Sequence, residues 1–128
     1  MERPLAGEVL AAAEPATHGP SFAQSLANYA FLLAELGRTS DAITVGQEAV
    51  RQYRQLVDAQ PDLLPKLGAA LKNLAVDLGT EQRTEEALAA IGEAIGIFGA
   101  PVKGRTRVDR PELDTCRQAE AWLQRKGQ

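Results

Sequence analysis

Shifting the chain against itself by 45 residues sets Pro20 on Pro65, Leu26 on Leu71, Asn28 on Asn73, Ala30 on Ala75 and Leu33 on Leu78. The match continues with Arg38 on Arg83, Thr39 on Thr84, Ala42 on Ala87, and Glu48-Ala49 on Glu93-Ala94. Ten of the 34 positions from 20 to 53 are identical, and they include small residues as well as leucines, so a shared helix-turn-helix unit explains them better than chance patterning. Such a unit cannot bury its apolar face alone. It is stable only when stacked on a neighbour.

The composition agrees with helices. Hydrophobic residues make up 45% of the chain but aromatic ones only 5%, so the core must come from Leu, Ala, Val and Ile. Ala and Leu lead the helix-propensity scale, and no run reads as a strand. The expected fold is all-α, a short α-solenoid of antiparallel helical hairpins with a carboxy-terminal capping helix, in one domain.

Along the chain, residues 1–20 read as an amino-terminal cap or partial repeat. Leu5, Val9 and Leu10 would form about two helical turns, ended by Pro15 and the Gly19-Pro20 pair. Repeat 1 covers 21–60. Ser21 is its expected N-cap, Leu26, Tyr29, Ala30 and Leu33 its first apolar stripe, and Gly37 the left-handed residue that ends the helix. Thr39 or Ser40 would cap a second helix whose stripe is Ala42, Ile43, Val45, Ala49, Val50, Tyr53, Leu56 and Val57. Repeat 2 covers 61–100, with Pro61 and Pro65 in opening turns, Thr84 as a cap, and Ala87, Leu88, Ile91, Ala94, Ile95 and Phe98 facing inward. Residues 101–110 form a basic loop carrying Lys103, Arg105, Arg107 and Arg110. Residues 111–128 form the capping helix, with a stripe of Leu113, Cys116, Ala119, Trp122 and Leu123.

Charge, cysteine and hydropathy bound the function. Residues 1–100 carry 7 basic and 13 acidic side chains, and residues 101–128 carry 7 and 4, so an acidic body is joined to a basic tail. Nucleic acid is not an expected partner, because no aromatic residue is interleaved with the basic stretch and the chain as a whole is acidic. No apolar run is long enough for a membrane span, and Met1 to Pro4 lack the basic head of a secretory signal. One cysteine, Cys116, allows no internal disulfide. These features point to a cytoplasmic protein without a membrane segment. Catalysis, cofactor and metal find no support: His18 is the one histidine and sits in a Gly-Pro stretch, while Glu85 and Glu86 are adjacent and diverge on a helix. No phosphate loop or nucleophile elbow appears.

The pattern Leu26, Tyr29-Ala30, Leu33, Gly37, Ala42, Gly46 and Ala49, repeated as Leu71, Leu74-Ala75, Leu78, Gln82, Ala87, Ile91 and Ala94, resembles the tetratricopeptide repeat family. The resemblance covers about 75 residues. Its spacing of 45 rather than the usual 34 is similar to the longer repeats of kinesin light chains and many bacterial signalling proteins. Gln82 and Ile91 depart from the family's small residues, and a HEAT-like helical pair has about the same length.

The resemblance implies a non-catalytic scaffold that binds a peptide or helix of a partner protein in a concave groove. The family's groove positions fall on Gln24, Ala27, Asn28, Phe31, Ala34 and Glu35, and on Ala69, Lys72, Asn73, Val76, Gly79 and Thr80. Of these, Gln24, Asn28, Phe31, Glu35, Lys72, Asn73 and Val76 are the candidate contacts. Asn28 and Asn73 share one repeat position, and an amide can both donate to and accept from a peptide backbone. The other reading is that they bond to neighbouring helix backbone and fix the stacking. The family's chaperone-tail clamp is not reproduced, because Ala27 and Phe31 stand where it needs Lys and Asn. Two units are few for a stable stack, so either the end helices cap it or a second copy does, through a homodimer. Trp122 under Phe98 would mean capping, and Trp122 exposed would mean self-assembly as the alternative function.

Overall fold

The computed structural model describes residues 15–100 and 110–127. Among them are five α-helices and no strand: α1 (Pro15–Glu35), α2 (Thr39–Val57), α3 (Leu64–Thr80), α4 (Thr84–Gly99) and α5 (Arg110–Lys126), with a 3₁₀ turn, Pro61–Leu63, leading into α3. Short turns fold α1 onto α2 and α3 onto α4, α2 packs on α3, and α5 lies on α4 and α3. The all-α expectation holds, and two helical hairpins stand side by side with α5 over the second.

The repeat is realised bond for bond at the turns. At the end of α1 the Arg38 N–H donates to the Leu33 carbonyl and the Gly37 N–H to that of Ala34. At the end of α3 the Arg83 N–H donates to Leu78 and the Gln82 N–H to Gly79. Both are Schellman endings, whose paired bonds satisfy helix carbonyls left without a partner. Each places one residue in the left-handed region: Gly37 at φ 79° and Gln82 at φ 66°. Position 82 therefore keeps the repeat's backbone without its glycine.

Several local expectations are corrected. Ser21 does not cap a helix, and neither Pro15 nor Gly19-Pro20 ends one: Pro15 opens α1, and Pro20 lies inside it. A proline fits a first turn without loss, whereas Pro20 withholds one N–H from the helix ladder. Gly19 is there for room instead, since a Cβ on it would stand 2.9 Å from Leu56 Cδ2 of α2. Thr39, Ser40 and Thr84 cap nothing. The N-cap positions are Arg38 and Arg83, with no side-chain cap bond, and each arginine instead reaches one turn on, Arg38 to Asp41 and Arg83 to Glu86. The expected helix within 1–14 and the basic loop before Arg110 lie outside the described residues.

One core runs through both hairpins and α5. Its largest fully buried side chains include Tyr53 and Phe98, which occupy the same repeat position, together with Leu71, Ile91 and Leu123. The first stripe of α1 is only partly buried. Ala30 and Leu33 are covered, but Tyr29 is 51% exposed while its counterpart Leu74 is 7% exposed. The cause is stacking, because Leu74 packs against the preceding hairpin and α1 has no described element on that side. At the other end α5 buries Leu113, Cys116 and Leu123. Trp122 does not lie under Phe98. It packs over Gly79, near the other end of α3, with the Lys126 ammonium 4.9 Å from the centre of its ring.

Candidate functional site

Where α1 and α3 run side by side, their facing positions leave a cleft of about 500 Å3. Small residues make it possible: Ala27 on α1 and Ala69 and Ala70 on α3 keep the walls apart, and Tyr53, Phe98 and Glu112 reach in from α2, α4 and α5. The cleft brings together Gln24, Asn28 and Phe31 of the first unit with Lys72 and Asn73 of the second. Glu35 and Val76 do not line it, although both are exposed. Gly79, a groove position by the repeat pattern, is buried under α5 and stands outside it. Thr80 turns its hydroxyl back to the Val76 carbonyl at 3.0 Å, a bond within its own helix.

Gln24 organises the polar side. Its Oε1 accepts from Lys66 Nζ at 2.9 Å and from the Tyr53 hydroxyl at 3.4 Å, and its Nε2 donates to Asn28 Oδ1 at 2.9 Å. Three helices are thereby tied at one amide. Asn28 spends its oxygen on Gln24, its NH2 has no partner among the described residues, and Asn73 has no side-chain bond there. Neither asparagine is buried, and neither bonds to neighbouring helix backbone. The stacking role for this pair therefore has no hydrogen bond to rest on.

Lys72 is more engaged than its place in the sequence implied. Its Nζ lies 3.8 Å from Glu112 Oε2 on α5, so part of its charge is already answered. Lys66, missed by the repeat pattern, supplies the second ammonium of the cleft. Glu112 and Phe98 were also beyond sequence reasoning, since only the packing of α4 and α5 carries them there. Phe31 is 52% exposed on the α1 wall, an aromatic face offered to solvent beside polar groups.

Past Phe31 and Asn73 the cleft continues into a small hollow of about 20 Å3, floored by Ala27, Ala30, Gly46, Ala49, Ala70 and Leu74 and bordered by Asp77. Burial pushes the Asp77 carboxyl up to about 6 from an ordinary 3.8. The Cys116 thiol is likewise pushed up, chiefly by burial, and it belongs to the core. Among the described residues no group of three His, Cys, Asp or Glu side chains converges as a metal site would require, and no helix is long and apolar enough to cross a membrane. Comparison with known proteins finds no matching family model, no matching curated protein and no matching solved structure.

Proposed function

We propose that the chain is a non-catalytic, tetratricopeptide-like interaction module that holds a peptide or helical segment of a partner protein in the cleft between α1 and α3. One observation carries the reading: Asn28 and Asn73, equivalent in the two units, are exposed and line one cleft with the exposed Phe31, and the Asn28 NH2 and the whole Asn73 amide have no side-chain partner among the described residues. Buried polar groups are normally satisfied within the fold, whereas exposed amides beside an aromatic face suit an incoming backbone and one apolar side chain. The proposed setting is cytoplasmic.

Peptides selected from a random 12-mer phage library on the intact protein test this. Asn73→Ala and Phe31→Ala are each expected to weaken the selected peptides by about fivefold or more, because each removes a contact worth about 1 kcal/mol. Thermal stability should stay unchanged, since both side chains are exposed. Equal loss of stability and binding would favour the packing role.

A second reading, self-association, rests on a different face. Tyr29, Leu32 and Leu36 are 51%, 57% and 74% exposed along one side of α1, and no Asp, Glu, Lys or Arg occurs in α1 before Glu35. These positions correspond to Leu74, Asp77 and Glu81 of the second unit. The face is apolar and adjoins no described element.

A further inference from the structure

Among the described residues five carboxylates, Asp41, Glu48, Glu86, Glu93 and Glu112, lie against an arginine or lysine. Glu35, Asp58, Asp62, Glu81, Glu85 and Asp114 are exposed, and Glu120 is partly buried on α5, away from the cleft. Asp77 is half-buried, yet it has neither ion pair nor side-chain hydrogen bond among the described residues. The repeat register makes its placement more pointed. The same position in the first unit is Leu32, so Asp77 puts a carboxylate at a stacking position where an apolar side chain would serve packing better.

Its surroundings are neutral. The hollow is lined from α1 by Ala27, Ala30 and Phe31, from α2 by Gly46 and Ala49, and from α3 by Ala70, Asn73 and Leu74, none of them titratable. Burial is the sole cause of its displaced ionisation, so no lysine or arginine already answers its charge. An unanswered carboxylate bordering an apolar hollow that shares Phe31 and Asn73 with the cleft favours a cation that brings an aliphatic stem with it.

We propose that the Asp77 end of the groove is a subsite for a cationic side chain, so that the bound segment carries a lysine or arginine whose stem runs past the exposed Phe31 and Asn73 from the cleft toward the Asp77 carboxylate. This rests on the groove being a peptide site. It also orients the occupant. Lys66 stands 11 residues before Asp77 on the same helix, about 16 Å away along its axis, and favours an acidic group at the other end. An extended segment spans that distance in about five residues.

Histidine-free peptides selected from a random 12-mer phage library on the intact protein are measured by fluorescence anisotropy against wild type and Asp77→Asn, whose folding is checked by circular dichroism. The selected peptides should share a lysine or arginine at one position. Asp77→Asn should weaken them about tenfold or more, and changing that base to Gln should weaken binding to wild type but not to Asp77→Asn. Wild-type affinity should fall about tenfold from pH 7.5 to pH 5, as protonation of Asp77 competes with the cation, and the variant should lose that dependence. Peptides that depend on Phe31 and Asn73 but show no shared base and bind Asp77→Asn equally well would overturn the subsite and leave the groove standing. Peptides indifferent to Phe31 and Asn73 would overturn the groove, and the subsite with it.

Discussion

Gly68, Gly79, Gly92 and Gly96 all lie within helices, but two of them are there for the space they leave. A Cβ on Gly68 would sit 2.7 Å from Phe98 Cε2 and 2.8 Å from Cζ, and one on Gly79 would run into Leu123 and Trp122. Gly92 and Gly96 have open space around them. Gly68→Ala and Gly79→Ala are therefore expected to destabilise by about 1–3 kcal/mol through overpacking, whereas Gly92→Ala and Gly96→Ala should each stabilise by about 0.5–1 kcal/mol. Urea unfolding followed by circular dichroism separates the two pairs. Asp77 makes a prediction of the same kind. Its folded pKa, about 6, lies above the ordinary 3.8, so the folded chain holds the proton between those values after the unfolded chain has lost it. Stability then falls as pH rises through that window, by about 1–2 kcal/mol after discounting remaining solvent contact. Asp77→Asn should be the more stable protein at pH 7.5 by that amount, and the gap should close by pH 4; a constant gap would assign the effect to packing. None of these roles was legible in the sequence. Gly79 reads as a groove residue until α5 is in place, and nothing in the repeat pattern singles out Asp77.

The turns between helices were half legible. Gly37 was identified as the left-handed ending of α1, and the structure places it there. Gln82 looked like a departure from the pattern, yet it takes the same conformation, because the Schellman bonds on both sides impose it. Exchanging the two residues tests this: Gln82→Gly should gain, and Gly37→Gln lose, about 1 kcal/mol, measured by thermal unfolding. The start of each second helix was misread, since a threonine beside a turn resembles an N-cap in sequence, and only backbone angles show it to be the first helical residue. Thr39→Ala and Thr84→Ala should accordingly cost less than about 0.5 kcal/mol, below the 1 kcal/mol typical of a lost cap. Helix α1 was truncated in the sequence reading for a related reason. Pro15 fits a first turn as readily as a stop, and Gly19 meets Leu56 across the hairpin, a contact that no local pattern encodes.

Across the whole molecule the 45-residue register conveyed the two hairpins and their order, and the separate apolar stripe from Leu113 to Leu123 conveyed the closing helix. What it could not convey was the difference between the two ends of the stack, because equivalent positions acquire different surroundings. Leu74 is covered by the first hairpin, and Tyr29, its equivalent, is not. The candidate groove was legible to a similar degree. The positions shared by both units, Asn28 and Asn73, came together, but Lys66, Asp77 and Glu112 entered through packing between elements. Helix α5, seated over Gly79, bears on assembly. Among the described residues it covers one end of the stack and leaves uncovered the side of α1 with Tyr29, Leu32 and Leu36, so the described helices have one covered pole and one apolar pole. On the self-association reading, two copies joined at their apolar poles would turn covered poles outward and offer nothing to a third. Such association terminates at a pair related by a twofold axis and cannot grow into a filament. Light scattering should then plateau at twice 13.7 kDa as concentration rises, and Leu32→Asp with Leu36→Asp should hold the chain at the single mass. A single mass for wild type at every concentration would end the self-association reading.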